Sequence, residues 1–188
     1  MPHSSYSARI LNRLKQQRSL EIFMTVRSHF STTWFDPATF KPHGTIESKI
    51  EGNLFIQEAT GPFNKEILLA MDSVHAKARQ VLVSNGPWGG LFIFKNSALA
   101  SPEMLDGLKK YLVTQVARNN ASIATGLVLP RSVEGASLMT PHYLRAWRDA
   151  GIVCEAFEDV LDAHHWISSQ LSTALRLSRG DDPPSPIV

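Results

Sequence analysis

The chain has a single cysteine, Cys154, among 188 residues. No intrachain disulfide can form, which excludes the disulfide-dense scaffolds of small secreted domains and points to a reducing compartment, with the cytoplasm as the default. There is no apolar run near the ~20 residues of a membrane-spanning helix. The N-terminus also lacks the continuous apolar stretch and small-residue cleavage site of a secretory leader. Charge of either sign is scarce overall, and what there is lies unevenly. Five basic residues, Arg9, Arg13, Lys15, Arg18 and Arg27, stand against one acid, Glu21, in residues 1–31, so the remainder carries −2 of a total of +2. A mildly acidic body argues against nucleic-acid binding, which needs Lys and Arg concentrated on one surface. Only the N-terminal arm could serve that purpose. What the chain does have is apolar material: 43% hydrophobic against 19% charged residues separates it from disordered sequences. Its length fits one domain with short extensions.

Catalytic patterns are missing as well. No Gly-x-Ser-x-Gly elbow surrounds Ser122, Ser137 or Thr140, so a hydrolase triad cannot be assembled. His164 and His165 are adjacent on an expected helix and point about 100° apart, which prevents both from facing one ion. Asp162 and His165 do share a face, but an exposed polar helix face is its commoner meaning, and no metal site is assigned. Cys154 sits beside Val153 in an expected strand, where cysteine behaves as a small buried hydrophobe. Gly86-Pro87-Trp88-Gly89-Gly90 precedes a strand, whereas phosphate loops follow one and open a helix. It reads as a helix-to-strand turn, in which Trp88 either packs on the domain edge or anchors a partner. No catalytic residue and no cofactor is expected.

The elements are legible from about Gly44 onward. Thr45 to Ile50 and Leu54 to Thr60 alternate apolar and polar residues about Gly52-Asn53, the pattern of a β-hairpin. Asn64 is placed to cap a helix with apolar residues at Ile67, Leu68, Met71, Val74, Ala78, Val81 and Leu82, stopped by Asn85-Gly86-Pro87. Leu91 to Phe94 reads as a buried strand. Ser101-Pro102-Glu103 opens a second helix with a capping serine, Pro at the first position and an acid at the positive end. Ile123 to Leu129 is a further strand, Thr140-Pro141 opens a third helix closed by Gly151, and Val153 to Phe157 is the last strand. Asp159 caps a final helix through Trp166 and Leu171. The order β-β-α-β-α-β-α-β-α predicts an α/β domain: a mostly parallel mixed sheet of about five strands with an N-terminal hairpin, covered by about four helices. The organisation expected is a basic, partly helical arm over residues 1–43, the α/β domain over 44–176 and a mobile tail over 177–188, where Pro183, Pro184 and Pro186 stop any helix. Met24 is a second possible initiation point.

Ile50-Glu51-Gly52-Asn53-Leu54, Gly61-Pro62-Phe63-Asn64, Val153-Cys154-Glu155-Ala156-Phe157 and Asp162-Ala163-His164-His165-Trp166-Ile167 together resemble the SpoIIAA-like proteins of the STAS superfamily. The resemblance covers roughly residues 44–170, and its motifs are structural more than catalytic. It implies an α/β sandwich related to anti-sigma factor antagonists, a non-enzymatic regulatory module acting through protein contacts or, in some relatives, through small or lipid-like ligands. One feature departs from the family: where the phospho-regulated antagonists carry an Asp-Ser-Ser-Gly-like segment, this chain reads Lys95-Asn96-Ser97-Ala98-Leu99-Ala100-Ser101-Pro102. Ser101 is better explained as an N-cap, although phosphate there would meet the positive helix end.

In open α/β sheets the loops at the carboxyl ends of strands line the ligand crevice. Lys95, Asn96, Pro130, Arg131, Ser132 and Thr140 are therefore expected to cluster, the long connection from Pro130 to Met139 supplying three of them. Arg131 and Lys95 could receive an anion or stand as solvated loop charges. The expected partner is an unidentified protein or a small apolar or anionic ligand, and a homodimer is compatible with the sequence.

Overall fold

The computed structural model describes residues 29–36 and 40–179. The amphipathic stretch read between Ile10 and Val26 and the Pro-rich tail lie outside the described residues. Strands β2 (Thr45–Glu51) and β3 (Leu54–Thr60) form the expected hairpin, with Glu51 opposite Leu54 and Thr45 opposite Thr60. Strand β1 (His29–Ser31) adds antiparallel to β2, within the segment read as an arm. Strands β4 (Gly89–Lys95), β5 (Ala124–Val128) and β6 (Val153–Phe157) continue in parallel from β3. Among the described residues the sheet is thus mixed and has six strands in chain order, against the about five expected. Three residues are too few to display a period of two, which hides β1 in the sequence.

Chain-ordered parallel strands joined by crossovers of one hand place every connecting helix on the same face. Helices α1 (Glu66–Ser84), α2 (Pro102–Ala117) and α3 (Ala136–Asp149) obey this. Ile67 and Met71 of α1, Leu108 of α2 and Tyr143 of α3 share one core cluster with Phe92 and Leu127 of the sheet. Helix α4 (Val160–Arg179) has no further strand to reach and folds back over the opposite face. There Ala163 and Ile167 pack on Leu54, Ile56, Leu91 and Val128. A Cβ on Gly89 would lie 2.3 Å from Ile167 Cγ2, so the glycine lets α4 approach the sheet. The Gly89-Gly90 pair is a packing device rather than a phosphate loop.

The helix ends confirm some local readings and correct others. Ser101 caps α2, its Oγ accepting from Met104 N at 3.2 Å, and Asp159 Oδ1 accepts from Leu161 N at 2.7 Å at the start of α4. Asn64 does not cap α1: its side chain accepts from His43 N at 2.8 Å and donates to Lys41 O at 3.2 Å, holding the segment that leads into β2. Helix α3 begins at Ala136, not at Thr140-Pro141, and Pro141 lies inside it. The final helix runs on through residues 177–179, past the expected domain limit at residue 176.

Candidate functional site

Past Val128 the chain leaves β5 with Leu129 N donating to Phe157 O at 2.8 Å, which ties the exits of β5 and β6 together. A turn follows, closed by Val133 N to Pro130 O at 2.9 Å. Glu134 then pairs with the β4–α2 connection, its N donating to Asn96 O at 2.9 Å and its O accepting from Ala98 N at 2.8 Å. Gly135 adopts φ +72°, and a Cβ there would meet Leu99 Cδ2 at 2.5 Å, so both conformation and space require glycine. Tyr143 O–H reaches back to donate to Ala98 O at 2.8 Å and fixes α3 over the same connection. Its burial raises the phenol well above its ordinary range.

These constraints leave an open cleft of about 610 Å³ between the ends of β5 and β6 and the first turns of α3. Leu129, Ala136, Pro141 and Phe157 give it an apolar floor, and Arg131, Ser137, Thr140 and Glu158 a polar rim. Arg131 is 84% exposed and its Nε donates to Glu158 Oε1 at 2.6 Å. An ion pair this exposed contributes little to stability and is readily exchanged for another partner. Thr140 Oγ1 is turned back on Ala136 O at 2.8 Å.

Of the six residues expected to cluster, Arg131 and Thr140 line the cleft. Pro130 and Ser132 belong to the turn beside it. Asn96, at φ +61°, touches the loop through its carbonyl. Lys95 does not join them: it pairs with Glu58 on β3. The connection is also shorter than read, because Ala136 to Met139 are helical. Trp88 is 8% exposed and packs edge-on against Phe55 at 6.2 Å, so it belongs to the core and is not a surface anchor. Cys154 is buried, its thiol pushed up to about 12 by burial. His164 and His165 stand exposed on α4 with ring centroids 6.4 Å apart.

One constellation escaped the sequence reading. His75 and Arg79 lie on the buried face of α1, where His75 is 1% exposed. His75 Nε2 is 2.8 Å from Ser48 Oγ, and Nδ1 is 3.4 Å from Gln57 Nε2. Burial, seconded by the Arg79 charge, lowers the imidazole to about 3, so it is neutral at pH 7. Arg79 donates to Tyr111 Oη at 2.5 Å, to Asp72 O at 3.2 Å and to Asp72 Oδ1 at 2.9 Å. Met71, His75 and Arg79 recur every fourth residue, and Tyr111 and Gln115 do the same on α2. Polar residues in the buried phase of two neighbouring helices were the available signal.

No family model, curated protein or solved structure matches the chain. Among the described residues, no helix is long and apolar enough to cross a membrane.

Proposed function

We propose that the chain is a non-enzymatic regulatory module of the STAS type that receives a segment of a partner protein in the cleft at the carboxyl ends of β5 and β6. The observation that carries this reading is the cleft itself: an apolar floor held by a pinned loop, rimmed by one exposed and exchangeable ion pair, Arg131–Glu158. A partner carboxylate can take the place of Glu158 on Arg131 while an apolar side chain covers Leu129 and Phe157. The groups with large pKa shifts support the non-enzymatic part. His75, Tyr111, Tyr143 and Cys154 are each shifted by burial toward their neutral forms, and none lines the cleft. An acid–base catalyst needs the opposite, a group poised near the working pH and within reach of substrate. The cytoplasm is the compartment this reading assigns, in keeping with one free cysteine.

A second reading, a carrier or sensor of a small apolar or anionic ligand, is favoured by the cleft volume, which lies within the range usual for small-molecule sites. Affinity capture from source cells with wild-type and Arg131→Glu baits, alongside native mass spectrometry of the purified protein, tests the two. A protein recovered by wild type and lost by at least tenfold with Arg131→Glu supports the partner reading. A stoichiometric co-purifying small molecule with no partner reverses the choice.

A further inference from the structure

The opposite end of the sheet contains a second space. Trp88, Ser122 and Ile152 each stand just before a parallel strand, and with residues of β3, β4, α1, α2 and α3 they line a partly open cavity of about 60 Å³. It shares no residue with the carboxyl-end cleft. Its volume is less than half that of an apolar cavity that holds benzene, yet it exceeds what one water fills. Asn120 and Ala121, both half-buried in the α2–β5 connection, stand at its rim.

Gln115, Arg79 and Tyr111 form one polar group in its lining. Gln115 is 4% exposed, and its Oε1 accepts no hydrogen bond, although its Nε2 reaches Asp72 Oδ1 at 3.4 Å. Leaving a buried carbonyl unpaired is costly, so the position calls for a donor from outside the chain. Beside it, the guanidinium of Arg79 has N–H groups to spare beyond its three bonds, and the Tyr111 oxygen takes one of those bonds while keeping its own hydrogen. The group thus offers both an acceptor and donors. Its formal charge is already balanced, because Arg79 is paired with Asp72. Elsewhere the lining is mixed: Phe92, Leu108 and Trp147 are apolar, while Gln57, His75 and Ser122 also line the space with side chains engaged in hydrogen bonds within the chain.

We propose that this cavity is a binding site for a small uncharged molecule of the amide or urea class, its N–H donating to Gln115 Oε1 and its carbonyl accepting from Arg79 or Tyr111. An anion would lack the donor that Gln115 requires, and a cation would face Arg79. A purely apolar guest would leave the carbonyl unpaired.

Acetamide is a suitable probe, and acetone, of the same shape without the N–H, its control. Each is titrated into the full-length protein while NMR follows the side-chain amide of Gln115 and the indole signals of Trp88 and Trp147. The site predicts saturable shifts with acetamide, at least tenfold weaker binding of acetone, and at least tenfold weaker binding of acetamide to Gln115→Met. The probe comparison on wild type holds even where the variant fails to fold. Shifts that stay linear, equal responses to both probes, or a high-resolution structure with water alone on Gln115 Oε1 in saturating acetamide would each overturn the proposal.

Discussion

The two ends of the parallel strands use charge in opposite ways. At the carboxyl end Arg131 is a solvated arginine on a loop, held by one carboxylate that is itself mostly in water. At the amino end Arg79 is almost wholly buried on a helix and divides its donors between a tyrosine, a backbone carbonyl and a carboxylate. The same side chain is therefore a replaceable contact in one place and a committed strut in the other. Solvent makes the difference: water screens and competes for the first, and its exclusion makes the second costly to disturb.

Removing the strut gives the largest expected effect. Arg79→Met leaves the Tyr111 hydroxyl buried and deprives Asp72 of its counter-charge, a loss of about 2–3 kcal/mol, tempered because Asp72 is half exposed. Urea denaturation measures it, and a loss under about 1 kcal/mol would erase the contrast between the two ends. The pH dependence comes next. His75 is neutral when folded, with its pKa lowered to about 3, while an unfolded histidine protonates near 6.5. Folding stability is then complete above pH 6.5 and falls as pH drops from there toward 3, because the unfolded state takes up a proton that the folded state refuses. The His75 contribution between pH 7 and pH 5 is about 2 kcal/mol. Paired denaturation curves of wild type and His75→Gln at both pH values isolate it, and equal slopes would contradict burial of a neutral ring.

The carboxyl end should respond less. Ser101→Ala removes the α2 cap and should cost about 1 kcal/mol by the same denaturation assay. The smallest change is expected at Arg131, where Arg131→Met should stay within about 0.5 kcal/mol of wild type while abolishing partner capture. A destabilisation comparable to that of Arg79→Met would mean that Arg131 is structural and that the cleft has no exchangeable rim.

The two ends also differed in how far they could be read from sequence. The hairpin, the limits of β6 and the Ser101-Pro102-Glu103 start of α2 follow from local rules, since alternation and caps act within a few residues. Of the six residues that the rule for strand ends groups together, Arg131 and Thr140 line the cleft. Lys95 stands apart from the cleft because its partner Glu58 lies on a neighbouring strand, a pairing that only the parallel register of β3 and β4 creates. Pro141 read as a helix opener because Pro favours the first turn, but Gly135, pinned against Leu99, starts α3 earlier. The amino-end constellation needed four elements to be docked before its parts met: Ser48 and Gln57 from the hairpin, His75 and Arg79 from α1, Tyr111 and Gln115 from α2. Each alone looked like an ordinary polar helix or strand residue.

The central claim, that the partner is received at the carboxyl end while the buried Arg79 network of the amino end holds the fold, is tested most directly by hydrogen–deuterium exchange of the protein alone and in complex with whatever the wild-type bait captures. The account predicts new protection over residues 129–140 and 156–158 in the complex, with α1 and α2 unchanged and no complex formed by Arg131→Glu. Protection elsewhere, with Arg131→Glu binding as tightly as wild type, would contradict it.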